Sequence, residues 1–203
     1  MKRGFTAREL RRLKAEAEQQ FENIKGARFY RNVDFVLYVA VIIMAALAVR
    51  AFLFEPIRVQ GDSMLPTLID GEHMMVEKIS YWMRDPARGE IIICFYPGYT
   101  ESCVKRVIGL PGDSVAIHEG SVFVNDVALD ESVYWFGTLY GETEPVMVGK
   151  REVFVLGDNR NSSKDSRNQS VGCIPYKKIV GRVAAVIWPV KEFKKMEKVD
   201  FPS

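Results

Sequence analysis

An uninterrupted apolar run of twenty residues, FVLYVAVIIMAALAVRAFLF from Phe35 to Phe54, constrains this chain more than any other feature. Its only charged residue is Arg50, near the C-terminal end, where a long side chain can reach the membrane interface. As an α-helix the run is about 30 Å long, which matches the hydrocarbon core of a bilayer. The sequence therefore predicts one transmembrane helix over residues 35–54.

A cleaved secretory signal is the alternative interpretation of this run, because Ala46-Leu47-Ala48 offers a small-x-small cleavage site. However, the charged segment before the run is too long for the basic start of a signal peptide. The apolar residues also continue past that site. A retained membrane span is therefore the favoured interpretation.

Charge is distributed unevenly on the two sides of the run. Residues 1–33 contain nine Lys or Arg and four Glu, whereas residues 55–203 contain 18 basic and 21 acidic residues. Because basic flanks stay in the cytoplasm, residues 1–34 are predicted to be cytoplasmic and residues 55–203 extracytoplasmic. No basic stripe runs through the acidic body, so nucleic acid is not an expected partner.

The leader, residues 1–34, is predicted to form a basic amphipathic helix. Thr6 and Glu9 have the spacing of a capping box at its start. Apolar residues follow at helical spacing: Leu10, Leu13, Ala17, Phe21 and Ile24. Such a helix can lie on the inner membrane surface or pack against another subunit, and the sequence leaves both open.

Residues 55–203 contain short alternating or apolar segments separated by turn signals such as Pro97-Gly98 and Glu119-Gly120. The predicted strands are 74–78, 90–96, 103–108, 114–118, 121–124, 152–156 and 179–188. No long helical period interrupts them. The sequence therefore predicts a mainly β fold, an antiparallel β-sheet domain behind one N-terminal helix. The tail, residues 191–203, is predicted to be a short helix or a frayed end.

The residue types present limit which catalytic groups and metal ligands this chain can use. The only histidines are His73 and His118, and neither an HExxH motif nor paired CxxC motifs occur. No metal site, no cofactor and no histidine-based triad is therefore expected. A hydrolase built from these residues needs another base, and lysine is the candidate. Of the three cysteines, Cys94 and Cys103 can pair across a hairpin and leave Cys173 alone, or all three can be buried thiols.

Three stretches carry the parts of a serine–lysine site. They are residues 61–68 (GDSMLPTL), residues 104–113 (VKRVIGLPGD) and residues 157–167 (GDNRNSSKDSR). Singly, each is a common turn, strand end or polar loop. In this order behind one span, together with residues 88–91 (RGEI), they resemble the sequence boxes of bacterial type I signal peptidases of the single-span, Gram-positive type. The resemblance extends from the span to Trp188.

This resemblance implies a role for individual residues. Ser63 corresponds to the nucleophile, Lys105 to the general base, and Ser163 to the hydroxyl that orients the lysine amine. Asp165 and Arg167 resemble an ion pair, with Arg106 nearby. This pair supports the third box, residues 157–167, without performing chemistry. The family binds its substrate as an extended strand beside the nucleophile. That placement implicates four residues as walls of shallow pockets for small side chains, and each of them can equally be core: Val59, Met64, Leu68 and Val104.

The physical requirements of a lysine base agree with this assignment. Serine is a poor nucleophile until a base removes its proton. Lysine accepts that proton only when it is neutral, which requires an apolar setting that lowers its pKa. Val104, Val107 and Ile108 around Lys105 are neighbours of that kind. Attack by Ser63 then forms an acyl-enzyme, and the Ser63 backbone N–H supplies one oxyanion donor.

Two departures from some members of the family are visible. Gly61 stands where those members carry a serine whose hydroxyl is a second oxyanion donor, so that donor is left unassigned. The segment from Asp113 to Val153 is short. The large insert of other members is therefore expected to be reduced to a hairpin.

The resemblance implies a function at the outer surface of a bacterial cell membrane. It predicts an endopeptidase that removes signal peptides from secretory preproteins after small-x-small sites, with the lipid bilayer and the secretion translocase as partners. A self-cleaving serine–lysine repressor is one alternative, but it would need a DNA-binding domain and would have no span. A membrane-anchored assembly factor or a specialised processing protease of the same fold is another.

Overall fold

A computed structural model describes residues 7–135 and 137–201 of the chain. The side chains of Leu10 and of residues 24–31 and 50–52 lie outside that description. The predictions for Thr6, for the side chain of Arg50 and for the last two residues of the tail therefore also lie outside the described residues. The chain divides into two compact units, with the boundary between Val49 and Arg50.

Helix α1 extends without a break from Ala7 to Phe52. Its segment Asn32–Val49 has a mean hydropathy of 2.3 and is long and apolar enough to cross a membrane. Leu13 and Phe21, from the predicted apolar face of the leader, are exposed. The helix ends two residues before Phe54, the predicted end of the span. It ends there because the next residues join the β-structure, where Leu53 O accepts a hydrogen bond from Lys78 N at 3.1 Å.

The regular structure of the remaining described chain consists almost entirely of antiparallel strands, which confirms the predicted fold class. Among the described residues 55–135 and 137–201, the one α-helix is α2, Ser80–Met83, and three single 3-10 turns accompany it. The strands are β1 Phe54–Arg58, β2 His73–Glu77, β3 Ile91–Phe95, β4 Ser102–Gly109, β5 Ser114–His118, β6 Ser121–Val124, β7 Val127–Ala128, β8 Thr143–Met147, β9 Glu152–Leu156, β10 Ile174–Pro175, β11 Ile179–Trp188 and β12 Lys194–Lys195. All seven predicted strands are present within one or two residues.

The larger sheet has the strand order β1-β2-β11-β3-β4-β9-β10, with β12 paired to β11. Its two faces bury separate apolar clusters. One contains Met64, Leu68 and Ile93, and the other contains Ile92 and Val107. Strand β4 lies between β3 and β9 in the middle of this sheet. A polar side chain on β4 is therefore held in rigid and largely apolar surroundings.

The smaller sheet has the order β7-β6-β5-β8, so the prediction of a simple hairpin in this segment is wrong. Strands β5 and β6 form the hairpin, but β8 pairs with β5 through Val115 and Val146, and β7 extends the other edge. Asn125 and Asp126 form the β6–β7 turn with φ of 53° and 64°, the left-handed values that a tight hairpin turn requires.

The tail is fixed by backbone pairing, so neither a helix nor a frayed end describes it. A single 3-10 turn at Val190–Glu192 leads into β12, where Lys195 lies opposite Ala185. Further along, Val199 N donates to Gly89 O at 3.3 Å. The tail therefore closes over the turn that precedes β3.

Candidate active site

The loop between β1 and β2 carries the candidate nucleophile. Two side chains of the loop, Met64 and Leu68, are buried in the core and anchor it from below. Gly61 adopts a left-handed φ of 82°, and its backbone N–H donates to Asp70 Oδ1 at 2.8 Å. With both ends of the turn fixed, Ser63 is left partly exposed above the core.

Lys105 lies on β4 opposite Ile92 and is only 4% exposed. Its Nζ is 2.8 Å from Ser63 Oγ and donates a second hydrogen bond of 2.8 Å to the carbonyl oxygen of Val104. Burial lowers the pKa of the Lys105 amine below its ordinary value, although nearby Cys103 and Asp165 oppose that shift. The arrangement places a basic amine within proton-transfer distance of a serine hydroxyl.

The loop after β9 holds the nucleophile turn through its backbone. Asn159 N donates to Ser63 O at 3.0 Å, and Asn159 Nδ2 donates to Asp62 O at the same distance. Gly157 makes this approach possible, because a Cβ on it would lie 2.2 Å from Ser163 Oγ and 2.5 Å from Ser63 O. Asn159 was not predicted as a site residue, although it lies in the GDNR sequence.

Ser163 lies beside this contact, but its role as the orienting hydroxyl is not visible in the hydrogen bonds. Its Oγ is buried and has no hydrogen-bond partner among the described residues. The Lys105 amine instead bonds to Ser63 and to the Val104 carbonyl. The orienting role of Ser163 is therefore still a prediction.

Asp165 and Arg167 form the ion pair that the sequence predicts in the third box. Arg167 Nε lies 2.7 Å from Asp165 Oδ1, and the guanidinium also donates to Ser163 O at 3.2 Å. Asp165 Oδ2 accepts a hydrogen bond from Gly157 N at 3.0 Å. This pair therefore fixes the loop that carries Ser163.

Arg106 belongs to a separate ion pair, with Asp158. Its guanidinium makes two hydrogen bonds to the Asp158 carboxylate, at 2.8 and 2.5 Å, and a third to Gly89 O at 2.9 Å. Asp158 Oδ2 also accepts the Thr67 hydroxyl at 2.5 Å. Both charged side chains are at most 2% exposed. Asp158 thus joins the base strand to the nucleophile loop, a link that the sequence analysis missed.

A second buried cation, Arg160, extends this network, and its partners were also missed. Arg160 is bound by both carboxylate oxygens of Glu131 and by the Tyr134 hydroxyl, with a 2.6 Å bond from Nη1 to Glu131 Oε2. The Tyr134 ring lies 4.2 Å from the Arg106 guanidinium carbon. Residues 131–134 have no resemblance to a motif, so the sequence offered no signal for them.

An open cleft of about 620 Å³ lies along the Ser63–Lys105 pair. It is lined by residues of β1 and its extension and by residues of β3 and β4: Ile57, Arg58, Val59, Gln60, Gly61, Ser63, Met64, Ile93, Glu101, Ser102, Cys103, Val104 and Lys105. Three of the four predicted pocket residues are among them. The fourth, Leu68, is fully buried in the core and does not line the cleft. The alternating apolar residues Ile57 and Val59 are the sequence signal that could have revealed β1 and its extension, which the strand predictions omitted.

The lowered pKa of Lys105 leads to an expectation for stability. A lysine that binds its proton less readily when folded destabilises the folded state below the folded pKa, and this effect fades as pH rises towards the ordinary value. We therefore expect Lys105→Met to be inactive but to melt at a higher temperature than the wild type at mildly acidic pH. Thermal unfolding between acidic and alkaline pH measures the difference, which should shrink as pH rises.

Lys150→Met is the matched control, because Lys150 is exposed. Its melting temperature should follow that of the wild type at every pH. If Lys105→Met melts below the wild type in acid, the amine makes net favourable contacts as a cation. The explanation by burial would then be wrong.

A buried lysine beside a serine hydroxyl on an antiparallel sheet is the arrangement of a serine hydrolase that uses lysine as its base. The model of the family described as "Signal peptidase, peptidase S26" matches residues 32–188. The chain therefore belongs to this signal peptidase family. It is a peptidase that removes signal peptides, and its apolar helix is consistent with the membrane association of the family.

Two relatives identified by sequence agree with the family match. The chain is 35% identical to the signal peptidase I of Bacillus licheniformis over 189 residues, which is 89% of this chain and 99% of that protein. It is 40% identical to the probable signal peptidase I-2 of Synechocystis over 73% of this chain and 69% of that protein. A solved signal peptidase I from Enterococcus faecalis, 27% identical, aligns with 49% of this chain and 97% of its own with a TM-score of 0.41.

Proposed function

We propose that this chain is a type I signal peptidase in which Ser63 is the nucleophile and Lys105 the general base. The observation that carries the proposal is the 2.8 Å contact between the buried Lys105 amine and Ser63 Oγ. The substrates are secretory preproteins, cut after small-x-small sequences. Val59, Met64 and Val104 form the pocket walls, and Leu68 supports them from the core.

The mechanism follows from the positions of the two groups. Neutral Lys105 accepts the proton of the Ser63 hydroxyl as Oγ attacks the scissile carbonyl carbon. The resulting ammonium then returns a proton to the departing amine, leaving an acyl-enzyme on Ser63. In the second half, the neutral amine activates a water that hydrolyses the ester. Because one group serves both halves, its pKa must lie near the working pH.

Stabilisation of the oxyanion relies on the backbone N–H of Ser63 as one donor. The backbone N–H of Gly61 is engaged by Asp70 Oδ1. Gly61 therefore contributes space rather than a hydrogen bond. Asp158, Asn159 and the Asp165–Arg167 pair position the two reacting groups and do not touch the substrate.

Shallow apolar pockets beside Ser63 account for the preference for small side chains. Val59 and Met64 are at most 2% exposed, and Val104 is half-buried. A small side chain next to the scissile bond can lie against these buried apolar walls, whereas a large one would have to displace them. An extended preprotein segment fits between the two strand-like walls of the cleft, residues 57–61 and 101–105.

The proposed orientation puts residues 1–34 in the cytoplasm and residues 55–203 outside the cell, with residues 35–54 as the anchor. Basic residues before the helix favour this orientation. Ser63 follows the end of helix α1 at Phe52 by 11 residues, so the length of this connection limits how far Ser63 can lie from the outer membrane surface. This is where the end of a signal peptide emerges, close to the lipid bilayer and to the secretion translocase.

We expect a tag at Met1 to be protected when protease is added to intact spheroplasts. Cysteine-free variants with a single new cysteine at exposed Lys150 should react with a membrane-impermeant maleimide, because that residue faces outside. Lysis of the spheroplasts provides the control, since it should expose the tag. A protected Lys150 position together with a digested tag would reverse the orientation and contradict the proposed function.

Incubation of the purified chain in detergent with a radiolabelled preprotein separates the enzyme from a non-enzymatic assembly factor. We expect the wild type to convert the preprotein into a shorter product, and Ser63→Ala to leave it intact. An assembly factor would give no product with either chain. A specialised processing protease would cut one precursor and leave general secretory preproteins uncut.

A further inference from the structure

Cys94 and Cys103 lie directly opposite each other on the neighbouring strands β3 and β4. Both are free thiols. Residues in direct opposition on antiparallel strands have Cα atoms about 4.5–5.5 Å apart and side chains on the same face. A disulfide accommodates Cα separations of about 4.4–6.8 Å. The register therefore brings the two cysteines within the Cα separation that a disulfide accommodates.

The two thiols differ in access. Cys103 is half-buried and lines the cleft that contains Ser63 and Lys105. Cys94 is fully buried behind it, among Ile92 and other apolar residues of the core. A reagent that enters the cleft therefore meets Cys103 first. Burial also raises the pKa of the Cys94 thiol to about 12, so this thiol reacts slowly at neutral pH.

Cys103 is connected to the third box as well as to the cleft. Its side chain packs against the buried apolar cluster that contains Tyr96. The Tyr96 hydroxyl donates to the carbonyl oxygen of Lys164 at 2.5 Å, between Ser163 and Asp165. A group attached to Cys103 therefore intrudes on the substrate cleft and lies next to the cluster whose Tyr96 hydroxyl holds the Ser163 loop.

We propose that Cys103 is a thiol modification site in the wall of the catalytic cleft and that Cys94 is its resolving partner. A low-molecular-weight disulfide blocks the cleft by attaching to Cys103, and formation of the Cys94–Cys103 disulfide clears the block. This proposal adds regulation to the proposed function. Only the expected effect on preprotein cleavage rests on that function. The thiol chemistry itself is measured independently.

The chemistry balances as two thiol–disulfide exchanges. The Cys103 thiolate attacks one sulfur of the small disulfide, forming a mixed disulfide and releasing one small thiolate. The small thiolate released first then takes the proton of the Cys94 thiol, and the Cys94 sulfur attacks the Cys103 sulfur, which releases the second small thiolate. In sum, two protein thiols are oxidised to one disulfide, and one small disulfide is reduced to two thiols.

Oxidised glutathione is the probe, added to the full-length protein in detergent at mildly alkaline pH. Intact mass and peptide mapping should show a glutathione adduct on Cys103 that later gives way to a Cys94–Cys103 disulfide. Preprotein cleavage should fall by at least about tenfold while the adduct is present, because the substrate is displaced from its place beside Ser63. Cleavage should then return, and the melting temperature should rise because the β3–β4 hairpin is closed.

Three variants separate the steps. Cys94→Ala should keep the adduct and stay inhibited, Cys103→Ala should resist inhibition, and Cys173→Ala should behave as the wild type. Should Cys94→Ala fold poorly, the wild-type time course and Cys94→Val give the same information. Absence of the internal disulfide in the wild type, or undiminished inhibition of Cys103→Ala, overturns the proposal. If mapping shows the disulfide but the untreated protein cuts no preprotein, the proposed function fails and the thiol chemistry stands.

Discussion

Replacing Ser63 or Lys105 by alanine is expected to lower kcat/KM for preprotein cleavage by about 10⁴-fold or more. The lysine amine lies 2.8 Å from the serine hydroxyl, and each group is ineffective without the other. The double variant should therefore be little worse than either single variant, as is usual for residues that act as one unit. Single-turnover cleavage of a purified preprotein measures all three.

Ser121→Ala and Lys150→Ala are the matched controls. Ser121 lies on β6 in the smaller sheet, and Lys150 is exposed beyond β8. Both should retain wild-type rates. Substantial cleavage by Ser63→Ala or Lys105→Ala, with their folding verified, would refute the assignment of the pair.

Breaking the buried pair of Arg106 and Asp158 is expected to have the largest effect on stability. Asp158→Ala leaves the Arg106 guanidinium uncompensated in a site where it is 2% exposed. The loss in the free energy of unfolding should be about 3–5 kcal/mol. Denaturant unfolding of the full chain in detergent measures it.

The double variant with Arg106→Met and Asp158→Ala distinguishes the cause. Because it leaves no unpaired buried charge, it should be more stable than Asp158→Ala alone. Its cleavage rate should still be reduced, since the Thr67 hydroxyl has lost its acceptor. A double variant less stable than Asp158→Ala would mean that Arg106 contributes chiefly through Gly89 O and the Tyr134 ring.

The strands that the sequence predicted are those with clear alternation or continuous apolar character, such as β3 and β5. Strand β1 was missed because its first residue, Phe54, continues the apolar run of the helix. Strand β8 was missed because Thr143–Met147 packs only half-buried side chains against β5. The structure therefore has a four-stranded sheet where a hairpin was predicted. Its extra pairings depend on distant partners rather than on local pattern.

The residues of the candidate site also fall into two groups, those predictable from local motifs and those that only tertiary contacts bring together. Ser63 and Lys105 were predicted because each lies in a recognisable box, and their contact needed only the fold to bring the boxes together. Asp158 joins Thr67 across 91 positions, and Glu131 meets Arg160 across 29. Contacts of this kind depend on tertiary packing. Leu68 has the side chain expected of a pocket wall, and only the packing shows that it lies beneath the cleft.

The position of the cut tests the central claim most directly. The purified chain is incubated with a model preprotein, and the new N-terminus of the product is mapped by mass spectrometry. A single cut directly after the small-x-small sequence, absent with Ser63→Ala, is the result that this account predicts. A cut at any other position, or a cut that Ser63→Ala still makes, would contradict it.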